Sequence, residues 1–417
     1  MTREIVLGPL VDLHTGVHYS FVDEPPEGFR YRLANGRHAF LFERPAESPH
    51  RYPHVFEAVD FGSGPEVVHS CRWPVLNRAA WVADTDDFGY PVLCGRHGLN
   101  PEFRRRFRES WPPDFDAQIR RRLRNMLCAY LHPSCKRVFF RSRYAIDSAR
   151  NWLEGLEAGP AGAAFLEKAR VLYPAQRALP RAAVEEKWAS AAPIEVVFCG
   201  RDYRTKNGRL ALETLGRVAG PAVRCAYIGE IPAEEAARHQ DVLGRLTWHP
   251  SLARAEVLAV LARSHVLFHP SPYEGLGTVF LEASAAGLAV VCSKGIGMEH
   301  VAEVFEDDGA LYADRDADAE FERQLVRLIR EPAATREMGF RNHERAASGR
   351  FSLAERNRQL VAAYEEALGA GAGEPLSIED LPERSGAVLH WMASEEVKAD
   401  ETAYRAEIGM AETRVNL

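Results

Sequence analysis

Short apolar runs alternate with stretches of helical period along the chain, most regularly in its second half. Residues 194–200 (IEVVFCG) read as a buried strand and 207–218 as an amphipathic helix, and 223–229 and 232–245 repeat the pair. A short run RLTWHP (245–250) follows, then a helix at 252–264, a strand at 266–270, a Gly-containing loop, a helix opening near Thr278 and a strand at 288–293. Gly287 is placed as the C-terminal stop of that helix, because glycine takes the left-handed backbone that closes a helix without penalty. Strands buried on both faces are continuous apolar runs, and strand–helix alternation of this kind predicts parallel α/β layers.

The first half is less regular. REIVLG (3–8), EVVHSC (66–71), AAWVAD (79–84), RVFFRS (137–142) and ARVLYPA (169–175) read as short buried strands. Residues 29–43 hold Asn35-Gly36 between two alternating runs, which predicts a hairpin. Residues 178–193 lack a strand pattern and read as a join between halves. Residues 356–369 read as a helix and 370–375 (AGAGEP) as a flexible break. The remaining tail is polar and acidic apart from AVLHWM (387–392), which the pattern does not place. The expected division is a domain at 1–180, a second at 190–355, and a helix and tail at 356–417 that cross back toward the first domain.

A chain of 417 residues has room for two domains. Its 46% hydrophobic and 27% charged content is that of a globular protein, and a formal net charge of −7 argues against a nucleic-acid partner. The seven cysteines include no C-x-x-C pair, and several lie in apolar runs. Reduced, buried thiols are the expectation, with no structural metal. The opening residues lack the apolar core of a secretory signal and no apolar run is long enough to span a bilayer, so the chain is expected to be cytoplasmic.

The chemistry concentrates in residues 270–291, PSPYEGLGTVFLEASAAGLAVV. Here a strand ends, a Gly-containing turn follows and a helix begins, which is where open parallel sheets bind ligands. Gly275 and Gly277 let the backbone approach a ligand closely. Amides around Leu276 and Thr278, with the Thr278 hydroxyl, suit a phosphate. Glu282 lies one turn beyond Thr278 on the same face, among apolar neighbours. A carboxylate buried without partners costs several kcal/mol, and the vicinal hydroxyls of a ribose would supply two donors. Glu274, eight residues earlier, sits within reach of sugar hydroxyls. A second element, FCGRDYRTKNG (198–208), carries Gly200, Arg201 and Lys206. A lysine at the start of a helix opposes the macrodipole unless an anion is close. A diphosphate is such an anion: Arg201 would fork two of its oxygens while Lys206 acts as a point charge.

These two elements resemble the retaining glycosyltransferases of family 4. Glu274 to Glu282 (EGLGTVFLE) matches their E-x7-E signature. The strand ending in HPS (269–271) and EASAAGLAVV (282–291) match the surrounding words, and Gly200, Arg201 and Lys206 match G-R-x4-K-G, with Asn207 before Gly208. The resemblance implies an α/β chain of GT-B type, two Rossmann-like domains facing a central cleft. It implies that Glu282 binds the ribose, that Glu274 and the amides of Gly275, Leu276 and Gly277 hold the donor sugar, and that Arg201 and Lys206 stabilise the leaving phosphate. The implied reaction is retaining transfer of a hexosyl group from a nucleoside-diphosphate sugar, UDP- or GDP-linked foremost, to an acceptor hydroxyl, with no cofactor and no bound metal. The leaving phosphate would itself take the acceptor's proton.

The acceptor half is fainter. Gly16 resembles the glycine-containing first loop of the family. Many relatives end a strand with a sugar-contacting His where this chain has Asp84, Asp86 and Asp87. Asp86 or Asp87 is the expected substitute contact, with His69 a further candidate. Residues 104–143 carry twelve Lys or Arg against three acids. Residues 118–131 place Ile119, Leu123, Met126 and Tyr130 on one helical face, with Arg120, Arg121, Arg122 and Arg124 largely elsewhere. Such a helix can meet an anionic membrane surface, pack into a core with a solvated Arg face, or bind an anionic acceptor. Two further functions stay open at this point: a GT-B nucleotide-sugar epimerase or phosphorylase, and a non-catalytic nucleotide-sugar-binding protein. Incubating the donor alone, and a turnover assay across many acceptors, separate them.

Overall fold

The computed structural model describes residues 2–42, 56–64, 66–86, 88, 115–190, 193–295, 298–306, 308–369, 373–386 and 388–407. The chain divides into two compact units, whose described residues fall within Met1–Tyr173 with Asn357–Glu412, and within Pro174–Arg356.

The first unit carries β1 (Arg3–Gly8), β2 (Phe29–Leu33), β3 (Arg37–Phe42), β4 (Phe56–Asp60), β5 (Val67–Cys71), β6 (Val75–Leu76), β7 (Trp81–Thr85), β8 (Cys135–Phe140) and β9 (Ala169–Val171). The second carries β10 (Ile194–Cys199), β11 (Val223–Ile228), β12 (Thr247–His249), β13 (Val266–His269), β14 (Ala289–Lys294) and β15 (Leu311–Asp314). A last strand, β16 (Val388–Ala393), returns to the first unit.

In the second unit the strands run in the order β12-β11-β10-β13-β14-β15, all parallel. Counted along the chain this is 3-2-1-4-5-6, the doubly wound Rossmann order, and it reverses between β10 and β13. Every residue of β13 is buried, as the unbroken apolar run VLFH required. Phe198, Leu212, Phe268, Val291 and Phe321 form the core of this unit. At about 1.5–3 kcal/mol per fully buried large apolar side chain, such residues dominate its stability.

The helix Thr278–Ala285 ends as expected. Gly287 has φ +70°, its amide donates to Ser284 O at 2.9 Å, and the Leu288 amide donates to Ala283 O at 3.0 Å. A Cβ on Gly287 would lie 2.6 Å from Val184, so the site excludes larger residues on space as well as on φ. Val184 belongs to the helix Arg181–Ala189, which occupies the stretch read as a join. From that helix Lys187 Nζ donates to Ser264 O at 2.8 Å and Ala286 O at 2.6 Å, so one amine, its pKa pushed down to about 7 by burial, ties the C-termini of two helices. The predicted helix 232–245 is two, Ala233–Arg238 and Gln240–Leu243, because His239 leaves helical geometry at φ −116°, ψ 29°.

The first unit's main sheet runs β2-β1-β5-β7-β8-β9, again parallel, with its reversal between β1 and β5. The expected hairpin at 29–43 is not formed. β2 pairs with β1, while β3 pairs antiparallel with β4 and β16 in a separate sheet of order β16-β3-β4-β6. Neither Asn35 nor Gly36 has the positive φ that a two-residue hairpin turn of this type requires. Gly36 is needed for a different reason: a Cβ there would stand 2.6 Å from the Asp60 carbonyl oxygen. The described part of the unplaced AVLHWM, Val388–Met392, belongs to β16, which is hydrogen-bonded to β3 in the register Val388↔Phe42 to Ala393↔Arg37.

The helix Phe115–Leu131 corrects one assignment of faces. Leu123, Met126 and Tyr130 are buried as expected, but so is Arg122 at 1% exposure. Its Nη2 donates to Glu57 Oε2 at 3.0 Å, and Glu57 Oε1 pairs with His38 Nδ1 at 2.8 Å. Helical period separated Arg122 from the apolar stripe, but a buried carboxylate on β4 draws it inward. Arg124 pairs with Glu383 at 3.3 Å and Arg120 donates to Gly155 O. Residues 104–114 lie outside the described residues. Among the described residues, no helix is long and apolar enough to cross a membrane.

Candidate active site

Two loops leave the carboxyl ends of the neighbouring strands β10 and β13, at the point where strand order reverses in the second unit. One is residues 200–207, the other 270–277, and they carry the two motifs. Asp202 Oδ1 accepts from the amides of Arg204 and Thr205 at 3.1 and 3.0 Å, folding the first loop on itself. Asn207 then takes a left-handed φ of 53° and leads into the helix Gly208–Val218. Ser271 Oγ lies 3.3 Å from Thr205 O and 2.9 Å from Tyr273 O, stitching the loops together.

Lys206 and Glu274 meet. Lys206 Nζ donates to Glu274 Oε1, which also accepts from His269 Nε2 at 2.8 Å. Glu274 is buried. Burial alone would raise its carboxyl; the Lys206 charge, with the hydrogen bond and charge of His269, outweighs it and holds the group well below the usual carboxylate range. The anion that a lysine near a helix start demands is thus supplied, in the free protein, by Glu274 itself. Gly200 makes room for the lysine: a Cβ there would stand 3.0 Å from Lys206 Cβ and Cγ.

Glu282 is buried on the helix Thr278–Ala285. Among the described residues its ion-pair neighbour is Arg254, with Nε 3.9 Å from Oε1. Burial pushes the Glu282 carboxyl up, partly offset by the charges of Arg254 and Arg201, which puts exposed Arg201 in electrostatic reach of it. Gly277 precedes the helix at φ +62°, ψ 88°. Gly275 has open space where a Cβ would stand. Leu276 turns its side chain into the protein at 4% exposure, leaving its backbone to the loop. Lys206 and Glu274 therefore meet on this pair of loops, with Arg201 on the first of them and Glu282 on the helix that follows the second.

Two members of this site were not singled out in the sequence. His269 stood within the HPS run but carried no distinguishing period. Arg254 opens the helix Arg254–Arg263 with Nη2 on Gln176 Oε1, and nothing in its sequence neighbourhood signals that contact.

In the first unit the candidates disperse. Gly16 is buried in the turn before the helix His18–Asp23, its amide donating to His14 Nδ1 at 3.1 Å. His69 is fully buried, with Nδ1 2.6 Å from Tyr364 OH. Asp86 pairs with Arg141 at 2.5 Å. Asp87 lies outside the described residues. Asp84, not Asp86, is the buried centre: its oxygens lie 2.8 and 3.1 Å from His18 Nε2, and His69 Nε2 stands 3.7 Å away. His18, Cys71 and Asp84 bring ligand-type atoms within 4.8 Å of one another. His18 Nδ1 accepts from the His14 amide at 2.6 Å, so its proton sits on Nε2 facing Asp84, a hydrogen-bonding arrangement rather than a metal-ligating one.

Residues 193–331 match the family described as Glycosyl transferases group 1. The D-inositol 3-phosphate glycosyltransferase of Segniliparus rotundus is 29% identical over 191 residues, 43% of this chain and 42% of that protein. The phosphatidylinositol N-acetylglucosaminyltransferase gpi3 subunit of Schizosaccharomyces pombe is 30% identical over 135 residues, 30% of each. The chain thus matches less than half the length of either relative. Among solved structures, Anabaena HepE in complex with UDP shares the fold at a TM-score of 0.53 and 12% identity, covering 88% of this chain and 100% of that one. Residues 193–331 thus resemble the group 1 glycosyltransferases, and the two α/β units share the GT-B fold of that solved neighbour.

Proposed function

We propose that this chain is a retaining glycosyltransferase that moves a hexosyl group from a nucleoside-diphosphate sugar, UDP- or GDP-linked, to an acceptor hydroxyl. The observation that carries the reading is the meeting of Lys206 and Glu274 at the strand reversal of the second unit, with Glu282 and Arg201 alongside. A diphosphate competes for Lys206 and Arg201, and sugar hydroxyls compete for Glu274, so one molecule bearing both satisfies every group that the free site pairs internally. Glu282, buried and weakly paired, gains two donors from a ribose. Lys206 and Arg201 then stabilise charge that develops on the leaving phosphate, and the protein contributes position and charge rather than a nucleophile. The UDP held by the Anabaena neighbour agrees with this donor class.

Thermal-shift screening with UDP-, GDP-, ADP- and dTDP-sugars tests the donor. A ligand at one hundred times its Kd stabilises by about 2.7 kcal/mol. No shift from any of the four would sink the assignment. Product NMR then reads the anomeric configuration: an inverted linkage refutes retention, and an epimerised sugar formed without acceptor favours the epimerase alternative.

A further inference from the structure

We propose that His269 is the positioning residue of this site, fixing Glu274 so that Oε2, not Oε1, is the oxygen offered to the donor sugar; this rests on the nucleotide-sugar reading above. His269 closes β13 at 1% exposure. Its ring stacks on Phe198, centroids 5.8 Å apart, and meets Phe280 edge-on at 5.0 Å. Nδ1 is buried with no hydrogen-bond partner. A buried N–H without an acceptor costs more than a buried lone pair, so the neutral ring keeps its proton on Nε2, directed at Glu274 Oε1 at 2.8 Å.

Oε1 therefore holds two donors, Lys206 Nζ and His269 Nε2, while Oε2 accepts no hydrogen bond among the described residues. Oε2 stands 3.3 Å from where a Cβ on Gly277 would be, a place that Phe280 also approaches at 2.9 Å, so only glycine fits beside this oxygen. The two donors differ in what a ligand does to them. Lys206 is drawn toward a diphosphate; His269, wedged between Phe198 and Phe280, stays. Glu274 then keeps its orientation at the moment when its charged partner is engaged elsewhere, and a lone carboxylate on a loop would otherwise be free to rotate.

The test compares His269→Leu, which removes the donor, with His269→Gln, whose amide nitrogen reaches the place of Nε2. In the full chain, His269→Leu should lower kcat about 10- to 100-fold, the range of one hydrogen bond to a charged group. The thermal shift given by UDP or GDP alone should be unchanged, and His269→Gln should restore most of kcat. The 13C carboxyl titration of Glu274 should move up in His269→Leu and return in His269→Gln. If His269→Leu does not fold, His269→Asn, whose shorter amide falls short of Oε1, takes its place against His269→Gln. A variant lacking the donor that retains wild-type kcat and an unmoved Glu274 titration, in a protein that binds nucleotide sugars, overturns the role of His269 alone. A wild-type chain that binds no nucleotide sugar overturns the donor reading and this role with it.

Discussion

Lys206 and Glu274, 68 residues apart in the chain, neutralise each other at the point where the strand order of the second unit reverses. Both are largely buried, with side chains 14% and 7% exposed. Removing one partner of such a pair leaves an uncompensated charge, whereas removing both does not. Lys206→Met should cost roughly 3 kcal/mol, and the double variant with Glu274→Gln should be more stable than Lys206→Met alone. Urea unfolding midpoints of the four proteins measure the coupling. Under the proposed function, Lys206→Ala should also lower sugar transfer by about 100- to 1,000-fold, read as kcat at saturating donor.

The same pair sets an acid limit. The folded-state value of Glu274 lies below its ordinary 4.5, so its carboxylate contributes stability that is complete above about that pH and is lost as pH falls through the folded value. Melting temperatures of the wild type and Glu274→Gln, taken from neutral to acid pH, should differ most near neutrality and converge in acid. Parallel curves would show that Glu274 is not the group that titrates.

Glu282 has the opposite sign. Burial raises its carboxyl, so the ionised form costs stability above the ordinary range, and that cost disappears in acid. Glu282→Gln should raise the melting temperature at neutral pH and lose the gain at low pH. Under the proposed function, Glu282→Ala should abolish the donor-induced shift. A residue that weakens the free protein and is needed for the ligand marks a site shaped for binding rather than for stability.

Lys168 serves the first unit as a helix terminator. Its Nζ lies 2.9–3.0 Å from the carbonyl oxygens of Tyr130, Leu131, His132 and Cys135, at the end of the helix Phe115–Leu131. Lys168→Met should cost about 2 kcal/mol, the upper range for a partly buried cation at a helix C-terminus, and hydrogen exchange of the last turn of that helix should rise.

The second unit was legible because its period and its glycines are local, and because its charged residues sit in two short motifs. β13, the loop after it and the helix with Glu282 lie within twenty-odd residues, and Gly287 closes that helix as its position predicts. What stayed hidden was non-local. The pairing of β3 with β16 joins residues about 350 positions apart, and no property of Asn35-Gly36 reports that its two flanking runs enter different sheets. Arg122 turned inward for a carboxylate on β4, a partner that helical period does not encode. Asp84 stood in view among three acids, yet its buried partner His18 lies 66 positions away and no motif announces the contact. Asp86, expected as a ligand contact, pairs with Arg141, a counter-ion 55 positions on that its sequence neighbourhood does not report.

The weave of β16 into the sheet of β3 and β4 has an outcome for biogenesis. The first unit is interrupted by Pro174–Arg356, so its small sheet lacks an edge strand until Val388–Ala393 has left the ribosome. Pro174–Arg356 is contiguous and can close on its own contacts as it emerges. The unit whose strands come earlier in the chain is therefore the one completed later, and a nascent chain stalled before Val388 holds a completed second unit and a β3 without its edge partner.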